Sequence, residues 1–179
     1  MIVFSATLLR PQGLGHGENW SFLVLPIEAS RQLPSRSMVS VEGTFENATF
    51  QATLEPDGRG GHWLRVPEEL TEVTGTRPGD RVALKIAPVV IEPEPEVPAE
   101  LEHALAADQG RASDTWCSLT PRARRDWIHW ITSAKRPETR AKRLAVALSK
   151  LAAGDRRPCC FDRSGMYSKS LSCPTPESD

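Results

Sequence analysis

Ile91-Glu92-Pro93-Glu94-Pro95-Glu96-Val97-Pro98 decides the fold. Proline fixes φ and removes a backbone donor, and neighbouring glutamates repel, so this run reads as a stiff, extended, solvated linker. On either side of it the hydrophobic period changes, from two residues before to a helical period after. Residues 1–90 are thus expected to form a β domain, 91–98 a linker, 99–155 a helical domain and 156–179 an irregular tail. The class is α+β.

Working back from the linker, Arg81 to Ile86 alternates basic or small with apolar residues, as a half-buried strand does. Val3 to Leu9, Trp20 to Pro26 and His62 to Val66 read as further strands. Met38–Phe45 and Ala48–Leu54 flank the two residues Glu46-Asn47, the spacing of a β-hairpin. Pro11 to Gly17, Pro56 to Gly61 and Arg77 to Asp80 are turn or loop clusters, and the stretch ending in Pro34 reads as irregular. Pro67-Glu68-Glu69-Leu70 opens a single helical turn, with carboxylates near its positive end. About six short strands in ninety residues predict a small barrel, since closure removes exposed edges.

Forward of the linker, Ala99 to Ala107 is a short helix with Leu101 and Leu105 on one face. Thr120-Pro121 is a cap followed by a proline suited to the first helical position. The helix it opens carries Ala123, Trp127, Trp130, Ile131 and Ala134 on one stripe, and Arg122, Arg125 and His129 opposite. Pro137 ends it. The next helix is expected to bury Ala141, Leu144, Leu148 and Leu151 and to close at Gly154. The two form an αα-hairpin in a domain of two to three helices. The tail offers Phe161, Met166, Tyr167 and Leu171 as anchors, and disorder is expected beyond Leu171.

The 179 residues carry 39% hydrophobic and 25% charged side chains, enough for a buried core without staples. No apolar run reaches the ~18–20 residues of a membrane span. The opening Met1 to Arg10 alternates like a strand and lacks a signal peptide's basic start and cleavage site, so a cytoplasmic address is expected. Net charge is −1, unevenly placed: residues 1–110 hold 8 Lys+Arg against 16 Asp+Glu, whereas residues 122–157 hold 11 against 3. Cys117, Cys159, Cys160 and Cys173 form no C-x-x-C pair, which argues against a zinc site, and reduced thiols are expected. The adjacent Cys159 and Cys160, near Arg156, Arg157 and Arg163, are candidates for redox sensitivity.

Catalytic signatures are sparse. His16, His62, His103 and His129 are scattered, and His129 reads as solvent-exposed. Gly13-Leu14-Gly15-His16-Gly17 lacks the Lys-Ser/Thr of a P-loop and precedes a strand, so it reads as a flexible connection. No G-x-S-x-G elbow occurs, and Ser164 sits in turn chemistry. No metal, cofactor or catalytic residue is expected. Trp127 and Trp130 read as core anchors in preference to a stacking platform. The crowded cations Arg122, Arg125, Lys135, Arg136, Arg140, Lys142 and Arg143 leave three readings open. They contact an anionic partner such as nucleic acid, with Arg122, Arg125, Lys135, Arg136, Arg140 and Arg143 as contacts. Alternatively, a small-ligand or enzymatic cleft between barrel and hairpin draws on Trp20, Trp63, Lys135 and Arg140. The third reading has them neutralised by the acidic barrel and linker.

Leu119-Thr120-Pro121, Trp130-Ile131, Ala134-Lys135-Arg136-Pro137-Glu138-Thr139-Arg140 and Arg143 resemble the bacteriocin-protection, YdeI/OmpD-associated family. Phe4 to Leu8, Trp20 to Pro26, Val41 to Thr44 and Pro78-Gly79-Asp80-Arg81-Val82 resemble the uncharacterised domain commonly fused ahead of it. The resemblance covers residues 2 to about 155. It implies a double-split β-barrel, the fold of AbrB/MazE-type DNA-binding proteins, and a stress-related role without catalytic residues to carry over. The acidic excess of the first 110 residues argues against the barrel gripping DNA. A non-enzymatic cytoplasmic binding or stress-related module is the expectation.

Overall fold

The structure, a computed structural model, describes residues 1–15, 18–108, 110–158 and 172–177. It comprises two compact units: residues 1–90 with the later segment 172–177, and residues 91–158. Cys159, Cys160, Ser164 and the tail anchors Phe161, Met166, Tyr167 and Leu171 lie outside the described residues, as do His16 and Gly17 of the glycine-rich connection.

The first unit is a six-stranded antiparallel sheet in the order β1-β6-β3-β4-β5-β2. The strands are β1 Ile2–Thr7, β2 Trp20–Val24, β3 Val39–Phe45, β4 Ala48–Pro56, β5 His62–Pro67 and β6 Arg81–Pro88. Alternation is clearest in β6, where Val82, Leu84 and Ile86 are buried while Arg81, Ala83 and Lys85 are exposed. The expected hairpin pairs Phe45 with Ala48 and runs back to Val39 against Leu54. Its turn residue Glu46 adopts φ 52, which costs a non-glycine residue. Two bonds to Ala83 offset that cost: Glu46 N–H donates to Ala83 O at 2.8 Å, and Glu46 Oε1 accepts from Ala83 N at 2.7 Å.

The sheet curls. β4 pairs with β3 over Ala48–Leu54, then with β5 only at Glu55 and Pro56. Leu9, just past β1, exchanges both backbone bonds with Phe22 of β2, at 2.7 and 2.8 Å, so the two ends of the strand order meet. Inside lie Leu8, Leu23, Val41, Phe45, Leu54, Leu64, Val66, Leu84 and Ile86. Gly43 is required where β3 approaches β6, because a Cβ there would lie 1.9 Å from the Lys85 carbonyl oxygen.

Two helices accompany the sheet. α1, Ile27–Ser30, falls in the stretch expected to be irregular. α2, Glu68–Thr74, continues past the single turn expected and stops at Gly75, whose φ of 68 suits glycine. The expected disorder beyond Leu171 is corrected for residues 172–177. Gln12 N–H donates to Thr175 O at 2.9 Å and Glu177 N–H to Arg10 O at 2.8 Å, so this segment pairs with the connection after β1.

Among its described residues the second unit has four helices: α3 Ala99–Ala107, α4 Arg111–Ser118, α5 Pro121–Thr132 and α6 Pro137–Ala152. α4 exceeds the expected two to three. Its apolar signal is only Ala112 and Trp116, one turn apart, and Gly110 provides no side-chain cap. The unit's core gathers Leu101, Leu105, Ala112, Trp116, Leu119, Trp127, Ile131, Ala147 and Leu151. Thr120 caps α5 as expected, its hydroxyl accepting from Ala123 N. Pro137 opens α6 at its first turn. Ala141, expected in the core, is exposed, and Ala147 is buried in its place.

Candidate functional site

The basic segment of α5 and α6 is the natural place to look for a site, and its surroundings alter its meaning. Glu92 and Glu94, read above as solvated linker residues, belong to the same compact unit as the arginines. Arg124 Nη1 bonds Glu94 Oε1, and Arg125 Nη1 bonds Glu92 Oε1. The second pair is well shielded, with side chains 11% and 23% exposed, so it is held more firmly than an ordinary surface pair. Asp126, itself buried, lies 4.0 Å from Arg125. The linker is therefore strapped to α5.

Recounting by unit removes most of the charge asymmetry. Residues 1–90 hold 8 Lys+Arg against 10 Asp+Glu, and residues 91–158 hold 12 against 10. The acidic excess assigned to the front came mainly from residues 91–110, which fold with the basic helices.

Three arginines serve helix ends. Arg124 Nε donates to Trp116 O at 3.2 Å, which also accepts from Leu119 N–H. Its Nη2 donates to Cys117 O at 2.9 Å, so the arginine serves the carbonyls at the end of α4. Arg156 Nη2 does the same for Ser118 O at 2.7 Å. Arg143 Nη1 donates to Trp130 O at 2.6 Å and to Ser133 Oγ at 3.0 Å, at the negative end of α5. Its guanidinium also lies 5.5 Å from the Trp130 ring centroid. Trp127 is fully buried and meets Trp130 edge-on at 5.9 Å, the core role expected of it.

His129 is not solvent-exposed, which corrects the expectation. It is half-buried, and desolvation, together with the charges of Arg125 and Arg143, pushes its pKa down to about 4. At neutral pH the imidazole is uncharged. Among the expected contacts, Arg122, Lys135 and Arg136 are exposed and Arg140 is half-buried, as is Arg143; Lys142 is exposed as well.

Residues 94–154 match the family model described as Bacteriocin-protection, YdeI or OmpD-Associated. The helical unit is thus similar to the YdeI/OmpD-associated family over most of its length. Residues 4–86, which span the sheet, match the model of a domain of unknown function, DUF1905. No curated protein matches the chain. The YdeI/OmpD-associated match begins inside the linker, at one of the two glutamates that hold α5.

In the DUF1905 unit, Trp20 and Trp63 are neighbours, with ring centroids 6.4 Å apart. Arg65 lies over Trp20 at 4.3 Å, beside a cleft of about 370 Å³ that Glu18 and Glu68 also line. Lys135 and Arg140 belong to the YdeI/OmpD-associated unit instead. Glu55, paired with Trp63 in the β4–β5 register, has its carboxyl pushed up to about 7 by burial, against the lowering pull of Arg65. Sequence reading overlooked Glu55, for which a lone glutamate in a strand gives no signal.

His62 has a structural role: its Nε2 donates to Ser37 O at 3.0 Å and burial lowers its pKa. Cys117 and Cys173 are free thiols, and burial pushes Cys173 up to about 11, away from thiolate reactivity. Among the described residues, no three His, Cys, Asp or Glu side chains converge on a metal position, and no helix is long and apolar enough to cross a membrane.

Proposed function

We propose that the chain is a non-enzymatic cytoplasmic binding module whose YdeI/OmpD-associated unit contacts an anionic partner, nucleic acid being the class to test first. In this reading α5 and α6 form an αα-hairpin whose turn presents Lys135 and Arg136, with Lys142 exposed on α6 and Arg122 and Arg140 flanking them. The curled sheet is a double-split barrel acting as its carrier. One observation carries the reading. Arg124, Arg125 and Arg143 are engaged by carboxylates and helix carbonyls, whereas Lys135, Arg136 and Lys142 are exposed around Pro137. Exposed cations of that kind bind phosphates by releasing counterions, with a salt slope of roughly 0.9 per contact on duplex DNA.

The test is a salt titration of binding to a labelled 20-mer duplex and its single strand. A complex at low salt whose slope flattens in the Lys135→Ala/Arg136→Ala/Lys142→Ala variant supports the reading. No complex with either form at low salt refutes it.

A second reading puts a small ligand on the DUF1905 unit at Trp20 and Arg65, favoured by the aromatic pair and the adjoining cleft. Quenching of tryptophan fluorescence by a bound ligand, lost in Trp20→Phe, would distinguish it.

A further inference from the structure

The connection after β1 carries a backbone edge that neither reading uses. Leu8 directs its N–H and C=O toward the turn before β6, donating to Asp80 O at 2.9 Å and accepting from Gly79 N at 2.7 Å. Leu9 directs its own pair the other way, to Phe22 of β2. By the same alternation Arg10 O and Gln12 N face the β6 side, where β6 has not yet begun.

That edge is met by residues 172–177. Gln12 N–H donates to Thr175 O at 2.9 Å, and Glu177 N–H donates to Arg10 O at 2.8 Å. Pro11 stands opposite Pro176 between those bonds. Two prolines can face each other in an antiparallel pair only where the flanking residues make the bonds, because neither has an N–H. Arg10 Nε lies 3.6 Å from the Glu177 carboxylate, and Cys173 N–H approaches Asp57 O at 3.4 Å.

We propose that Arg10–Gln12 is a strand-addition edge for an extended acidic peptide of Thr-Pro-Glu type on a partner protein, and that Thr175–Glu177 occupies it in cis as a competitor. The edge asks four things of an occupant: a carbonyl for Gln12, tolerance of proline opposite Pro11, an N–H for Arg10 O, and a carboxylate for the Arg10 guanidinium. The cis segment meets all four. Strand addition uses main-chain bonds for affinity and side chains for selection. Two backbone bonds and an ion pair whose side chains are 52% and 61% exposed hold the segment lightly. Tethering compensates by raising its effective concentration toward the mM range. A free peptide is therefore excluded until the cis segment is released.

The experiment uses the full chain and a fluorescein-labelled peptide of residues 172–179, under reducing conditions. Glu177→Pro in the chain removes both the N–H and the carboxylate of the cis occupant and touches no core residue. This variant is expected to bind the peptide at least ten-fold more tightly than the unsubstituted chain. A peptide carrying the same Glu177→Pro change is expected to bind neither. Equal binding of the native peptide to both chains, or none to the variant, overturns the proposal. A charge exchange tests Arg10 with the cis segment already disabled: the Arg10→Glu/Glu177→Pro chain should prefer a Glu177→Lys peptide to the native one by several-fold, and no preference overturns the assignment of Arg10.

Discussion

The sheet unit is fixed by its backbone, and the helical unit by its charged side chains. In the first, register, a close approach at Gly43 and a turn held on Ala83 decide the geometry. In the second, Glu92, Glu94, Arg124, Arg125 and Arg143 tie a linker and two helix ends together. A half-buried titratable group in each unit also responds to pH, and the two do so in opposite directions. Glu55 is held near 7 against an ordinary 4.5, and His129 near 4 against 6.5. The difference teaches that carboxylates serve local turns in the sheet unit, as Glu46 does on Ala83, and tie a distant linker to a helix in the other.

The largest effects would test the backbone side of that contrast. Gly43→Ala puts a methyl into the Lys85 carbonyl, and β3 or β6 must move. A loss of about 4 kcal/mol in urea unfolding is expected, with accelerated amide exchange in both strands. Trp127→Ala empties the centre of the helical core and should cost about 3–5 kcal/mol, read as lost amide protection in α5 and α6.

Next come the opposed pH responses. Between pH 6.5 and 4 the unfolded chain binds more protons at His129 than the folded one, so stability falls as pH drops through that window, by about 3 kcal/mol in the limit. His129→Gln should remove that slope. Between pH 4.5 and 7 the folded chain binds more protons at Glu55, so stability falls as pH rises, again by about 3 kcal/mol in the limit. Glu55→Gln should therefore stabilise the chain at pH 8 and do little at pH 4. Denaturant midpoints measured from pH 4 to 8 check both, and matching slopes for the two variants would break the contrast.

The smallest effect concerns the linker. Glu92→Gln leaves the shielded Arg125 without its linker carboxylate and should cost about 1–2 kcal/mol. A change within error would mean the linker is not strapped to α5.

Much of this was legible in the sequence. Short apolar or alternating runs between turn signals found all six strands, and the two-residue gap at Glu46-Asn47 found the hairpin, because these signals are local. Thr120-Pro121 and Gly154 marked helix limits for the same reason. α4 was missed because Arg111–Ser118 shows too few apolar positions for a period to emerge. The sheet's closure through Leu9 and Phe22, and the seating of Thr175–Glu177, depend on residues far apart in sequence, which local patterns do not encode. Composition taken over residues 1–110 misassigned the charge, since the acidic run from Ile91 folds with the helices that follow. For the cation cluster, residue types were legible but partners were not: Arg125 meets Glu92, a residue read as solvated, and His129 feels the charges of Arg125 and Arg143.

The central claim is that the basic segment divides into arginines that build the unit and cations that face outward. The direct measurement compares Arg124→Gln/Arg125→Gln with Lys135→Ala/Arg136→Ala/Lys142→Ala in one salt titration of duplex binding, with unfolding midpoints alongside. The first variant should lose stability and keep the salt slope; the second should keep stability and lose roughly 2–3 units of slope, at about 0.9 per contact. The reverse assignment, with slope lost in the first variant and stability lost in the second, would contradict the account.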